Sequence, residues 1–344
     1  MPHAVTELLD VQAPARDLLW LRKSLQTAIE MEFATIPPYL TAYWSIIPGD
    51  DPDGVADILR SVVLEEMLHM ALLSNLLVAV GGAPRFNRRG IVPAYPCAWL
   101  PGSGSGPNIG LRKLSLAAVD MFMAVENPAH NPAGYVAATH DGRHCIGEFH
   151  DAINAVFAIL DPALSDTHQL ECSAIGLFAV HSLIDVSRAI RALKKQGEGF
   201  ANSAESTPGI TELPHYYRLA EIFHGRRLKR DTGASTWSFA GDPVRFPEVL
   251  PMADVPAGGY GSHNVCEADW SLVEQDVIQF NQTFTIMLHH LETAWGRGSP
   301  TELNVAMACM FALAGYAVSL MSVPIAGGSG NYGPSFRLVP SQPL

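Results

Sequence analysis

Leu59, Val62, Glu66, His69, Leu73, Leu76 and Val80 recur in alternating steps of three and four, the spacing of one face of a helix. The aliphatic members mark that face as buried, and Glu66 and His69 interrupt it one turn apart. Burying a charge without a partner is expensive. A Glu-x-x-His pair aimed into a helical bundle most often answers that cost by binding a metal ion.

An earlier segment carries the same anomaly. Leu18, Leu21, Leu25, Ala28, Glu32, Thr35, Tyr39, Ala42 and Ile46 follow the same rhythm, with Glu32 in the middle. Glu30 falls on another face and points toward solvent or a surface partner. Antiparallel packing through a short turn at 47–52 brings the two mid-helix positions level. Glu32, Glu66 and His69 are therefore three metal ligands on spacing alone. A buried Glu66–His69 salt bridge would explain one helix but not the acid on the facing stripe.

A metal pair in a bundle needs about the same set again from its other half. Thr211-Glu212-Leu213-Pro214-His215 offers a second Glu-x-x-His at a helix start, in an apolar setting of Tyr216, Leu219, Ile222 and Phe223. Glu221 and His224 repeat the spacing further on but read as structural or surface residues. For the remaining carboxylate, Glu148 is flanked by Phe149, Ile153, Val156 and Leu160, while Glu126 and Glu198 at helix ends are the alternatives. His181 reads as a core histidine. His289-His290 offers a haem or subunit contact, although most such pairs are surface residues. The glycine-rich stretch at 102–107 follows no strand and reads as a loop, not a phosphate site.

Periodicity is helical throughout, with no convincing period-two strand. Helices are expected at about 15–46, 51–82, 114–125, 143–160, 166–195, 211–227, 269–295 and 300–321, with a Pro/Gly-rich crossover at 82–112 and an irregular stretch at 228–265. The 344 residues are 48% hydrophobic and only 16% charged, against ~25% charged for an average domain, so several helices should be buried on more than one side. The expected architecture is all-α and spans residues 1–344 as one domain, with a bundle core at about 15–227 and a C-terminal helical pair at about 267–323. The uncharged run at 305–326 is long enough for a bilayer. Its small residues, Pro324 and lack of flanking Lys or Arg favour a buried helix over a tail anchor.

A net charge of −12 argues against nucleic acid and anionic membrane as partners. No signal peptide is visible, and Cys97, Cys145, Cys172, Cys266 and Cys309 are scattered. They read as reduced, mostly buried thiols of a cytoplasmic protein.

Several stretches resemble a known family: residues 29–40 (IEMEFATIPPYL), 65–70 (EEMLHM), 146–150 (IGEFH), 196–199 (QGEG), 215–218 (HYYR) and 333–336 (GPSF). Glu32 and Glu66-x-x-His69 resemble the first half of a ferritin-like di-iron site. The whole set resembles the ferritin-like domain of bacterial iminophenylpyruvate dimer synthases of the violacein and rebeccamycin pathways. The resemblance implies a ferritin-like four-helix bundle core with additional C-terminal helices. It also implies metal or redox chemistry and a place in natural-product biosynthesis.

Carried over by position, the metal ligands are Glu32, Glu66, His69, Glu148, Glu212 and His215, with Tyr39 beside them. Four glutamates and two histidines suit two iron ions, and manganese as well. The expected partners are a small organic substrate and O2 or peroxide, and a homodimer is permitted. Two other readings are a non-catalytic metal-binding or storage protein and a haem-dependent coupling enzyme of the dimer-synthase type. Those synthases are much longer proteins. Pro37-Pro38 is foreign to true ferritins and is expected to kink or unwind its helix and open a substrate cavity beside the metals.

Overall fold

A computed structural model of the protein describes residues 5–88, 90–98, 107–128, 146–197, 213–230 and 236–339. Its centre is a pair of antiparallel helices, α2 (Leu18–Trp44) and α3 (Val55–Ala79). Asp17 starts α2 by accepting the Trp20 N–H at 2.8 Å. α3 begins three residues later than its sequence suggests. Asp51 still serves it, its two carboxylate oxygens accepting the N–H groups of Val55 and Ala56 at 2.9 and 2.8 Å. Arg22, near the start of α2, donates to the Val80 carbonyl at the end of α3, which fixes the antiparallel register.

Pro37 and Pro38 do not unwind α2, which continues through both. Pro38 withholds the N–H that the Ala34 carbonyl would normally accept. The Tyr95 hydroxyl, from the crossover after α3, takes that place at 2.7 Å. The crossover is held elsewhere by Glu292, which accepts the N–H groups of Phe86 and Asn87 and pairs with Arg85.

A short helix, α1 (Val5–Asp10), precedes the pair and has no counterpart in the periodicity. Next come α4 (Leu116–Val125), α5 (Ile146–Leu160), α6 (Leu183–Gly197) and α7 (His215–His224), followed by α8 (Glu267–Arg297) and α9 (Pro300–Met321). Helices α5, α6 and α7 pack against one face of α2–α3, and α8–α9 pack against the other. Two-residue antiparallel ladders join Cys97–Ala98 to Asn108–Ile109 and Lys229–Arg230 to Trp237–Ser238.

The largest departure from the sequence reading is at 166–195, where the expected helix forms only from Leu183. Side-chain amides replace its missing ladder. Gln169 bonds the N–H and carbonyl of Val180. Asn75 of α3, fully buried, bonds both backbone groups of Leu170 and the Phe178 carbonyl. Its Oδ1 also accepts the Trp295 indole N–H from α8. His168 takes a left-handed φ of 66°, and its Cα lies 2.8 Å from where a Cβ on Gly298 would sit. Only glycine fits there. His181 consequently lies exposed, paired with Asp166, and is not a core histidine.

Helix α9 is not buried on all sides. Leu303, Ala306, Leu313, Ala317, Leu320 and Met321 face inward, whereas Phe311 is 71% exposed. Both α3 and α9 are long and apolar enough to cross a membrane, and α3 is mostly core. The four described cysteines are unpaired, with Cys266 exposed and the others half-buried, so the expectation of buried thiols does not hold.

Asn75→Ala would leave several buried polar groups unsatisfied at once. The expected loss in unfolding free energy is about 3 kcal/mol or more, since each orphaned group costs ~1–3 kcal/mol. Urea denaturation monitored by circular dichroism measures it.

Candidate metal centre

The inward face of α2 presents Glu32, Thr35 and Tyr39, and that of α3 presents Glu66 and His69, all buried. His69 Nδ1 lies 3.4 Å from Glu32 Oε2 and 3.8 Å from Glu66 Oε1. The Thr35 hydroxyl is 2.8 Å from Glu66 Oε2. The spacing argument thus brings Glu32, Glu66 and His69 together.

The opposite wall comes from three other helices. Glu126 follows the last turn of α4, His150 lies in the first turns of α5, and His215 opens α7. His215 Nδ1 is 2.9 Å from Glu66 Oε1 and 3.4 Å from Glu126 Oε2. His150 Nε2 is 3.7 Å from Glu32 Oε1. Glu32, Glu66 and His69 form one trio with ligand atoms within 4.8 Å of one another, and Glu66, Glu126 and His215 form a second. Glu66 belongs to both.

Glu148 is not part of this cluster. It sits on the exposed face of α5, while His150 two residues on points inward. A helix turns ~100° per residue, so Phe149, Ile153 and Val156 set a buried face that excludes Glu148. The signal for His150 was in the sequence, since His150, Ile153 and Phe157 follow the same three-four rhythm as Glu66. Glu126 likewise continues Val119 and Phe122. Glu212 and Glu198 lie outside the described residues. Among the described ones, three carboxylates and three imidazoles meet, instead of four and two. Glu221 is buried but accepts from Arg227 and the Leu228 N–H, and His224 stacks on Phe239.

Outer contacts orient the imidazoles. His215 Nε2 is 2.8 Å from Glu65 Oε2, and Arg218 pairs with the same carboxylate. With its Nε2–H donating to Glu65, His215 turns Nδ1 toward Glu66 and Glu126, the arrangement that metal-bound histidines commonly show. His69 Nε2 is likewise 2.9 Å from Gln196 Oε1, leaving Nδ1 for the cluster. Tyr39 donates to Glu126 Oε1 at 2.5 Å, which leaves Oε2 to the site. Sequence spacing gave no hint of Glu65, Gln196 or Arg218, because each acts through another residue.

Burial pushes the Glu32 carboxyl up to about 7, with Glu126 adding to the effect against a bond from Glu66. Burial and Glu32 raise Glu66 as well. Burial lowers His150 to about 3, reinforced by His69 and Lys194. Burial also opposes a charge on His215, but Glu126, Glu65 and Glu66 outweigh it and hold its pKa well above the usual imidazole range. Burial likewise disfavours the Glu65 carboxylate, yet His215 and Arg218 bring it down to about 2.

The donor set fits a pair of cations. His150 Nε2 is buried, faces Glu32 at 3.7 Å and has no hydrogen-bond partner, which is costly unless something else occupies it. The adjoining space is about 30 Å³, bordered outward by Asn127, Ile146, Lys194 and Gly197. Pro37 does not line it but faces the other side of α2, so the expected substrate cavity beside the metals does not arise from the proline turn.

This chain belongs to the Ferritin-like family, whose model matches residues 25–224 and so encloses every cluster residue. A curated relative, dichlorochromopyrrolate synthase of Lentzea aerocolonigenes, is 26% identical over 329 residues. The match takes in 84% of this chain but 30% of that protein, so the chain spans less than a third of its relative's length. The crystal structure of a ferritin-like protein from Caulobacter vibrioides matches with a TM-score of 0.59 at 22% identity. That match covers 93% of this chain and 97% of the other and shows a shared all-α fold.

A carboxyl raised from 4.5 to about 7 on folding weakens the metal-free protein as pH climbs through that window, because the folded site resists losing the proton. Glu32→Gln should therefore stabilise metal-free protein at pH 8 by roughly 1–3 kcal/mol and change it little at pH 5. Paired thermal melts at the two pH values read the difference.

Proposed function

We propose that the cluster would hold two iron ions, with Glu66 among the residues available to both. On this reading the protein uses O2 or peroxide to oxidise a small organic molecule in a biosynthetic pathway. The observation that carries the proposal is the pair of ligand trios sharing Glu66, with the orphaned His150 imidazole nitrogen aimed at Glu32. The biosynthetic relative supports the setting.

Glu32, His69 and His150 would serve one ion, and Glu126 and His215 the other. Oxygen and imidazole donors suit iron, and manganese as well. Bound iron would supply a redox couple able to pass electrons from the organic molecule to the oxidant. Removing two electrons and two protons from the organic molecule reduces O2 to hydrogen peroxide, or peroxide to two waters.

The chain's own residues do the rest. Glu65 and Gln196 hold the two imidazoles in one tautomer, Tyr39 holds Glu126 by its far oxygen, and burial excludes bulk water. His215 carries a proton when the site is metal-free and releases it on loading, so metal affinity rises with pH.

A second reading, metal holding without turnover, draws on the small space beside the cluster, about 30 Å³. That volume suits ions or a diatomic gas better than an organic molecule. One experiment addresses both readings: anaerobic Fe(II) loading, elemental analysis, then O2 uptake with and without hydroquinone as a donor. Two irons per chain and sustained uptake with the donor are expected, whereas uptake that stops after one filling means storage.

Glu66→Ala should lose both irons and Glu32→Ala about one. Native iron content in both variants would overturn the ligand assignment.

A further inference from the structure

On the face of α2–α3 turned away from the cluster, the α8–α9 pair leaves a cavity of about 140 Å³. Every side chain lining it is apolar. The Trp295 indole N–H, the one polar group those side chains carry, is already bonded to Asn75. Water in such a space would find no hydrogen-bonding side chain to hold it.

Five of the chain's 11 methionines, Met67, Met70, Met287, Met307 and Met310, line it. Methionine is the most adaptable apolar side chain and makes favourable contacts with aromatic ring edges. Phe33 and Phe284 stand parallel at 6.3 Å on the wall. At the rim, Leu64, Ile175 and Phe311 are exposed apolar residues, which gives an uncharged molecule a low-cost way in.

We propose that this cavity is a binding site for a small uncharged aromatic molecule of about one ring. Size sets the upper limit, since an apolar cavity of about 150 Å³ accepts benzene. The lining sets the chemistry: a charged or strongly hydrogen-bonding ligand would lose its hydration and gain no partner. The site is separate from the metal cluster yet backs onto it, because Ile36 and Met70 line the cavity while their neighbours Thr35 and His69 face the acids.

Toluene serves as the probe, with benzoate as its charged counterpart. Toluene should raise the Tm of the full chain saturably, in metal-free and metal-loaded protein alike, and benzoate should not. Ala306→Phe and Ala71→Leu each place bulk in the cavity; two positions are used so that one misfolded variant does not end the test. A variant with native circular dichroism should bind toluene at least tenfold more weakly. Absence of a saturable shift in the native protein, an equal shift with benzoate, or undiminished toluene binding in a folded filled variant would each overturn the proposal. Iron content is measured on the same samples, so failure of the metal centre and failure of this site are told apart.

Discussion

The carboxylate of Glu66, 3% exposed and shared by two ligand trios, is the constraint around which the rest of the protein is arranged. Glu32 and Glu126 join it in the same low-dielectric space, and three acids out of water cannot all hold charge without opposite charge close by. The His215 imidazolium meets part of that demand, and burial answers the rest by raising Glu32 and Glu66 toward their protonated forms while keeping His69 and His150 neutral. Hence α5, α6 and α7 converge on one face of α2–α3, and α4 ends where Glu126 can reach His215. In the metal-free protein the His215 imidazolium balances the acids. A pair of cations would take over the same task.

The α2–α3 pair separates two kinds of environment less than one helical turn apart in sequence. Glu32, Thr35, Glu66 and His69 point toward the acid cluster, and Phe33, Ile36, Met67 and Met70 point toward the apolar cavity. The proline pair belongs to this division. Pro37 lines the apolar side, and the carbonyl freed by Pro38 is satisfied by Tyr95 from the crossover. The outcome is a continuous helix, where the prolines by themselves suggested a kink or an unwound turn.

Residues that obey helical spacing were legible in advance. Glu32, Glu66 and His69 stood out because each interrupts an apolar stripe, and His215 because it closes a second Glu-x-x-His. Glu148 misled because it sits among apolar residues yet lies on the outer side of α5. Periodicity counted from His150 resolves the two, and counted from Val119 it reaches Glu126. The helix expected at 166–195 failed for a different reason. Asn75 and Gln169 offer its backbone hydrogen bonds as good as a ladder's, and those partners come from positions distant in sequence.

The amino-acid sequence by itself determined that two long helices would face each other with acids and an imidazole between them. The 3.6-residue period and the cost of burying charge are local facts written in the order of residues. Only the tertiary structure decided which acid and which imidazoles complete the cluster, and which side chains orient them. Glu126, His150 and Gln196 meet the site, and Glu65 meets His215, through packing between helices far apart in the chain, and no spacing rule spans that distance.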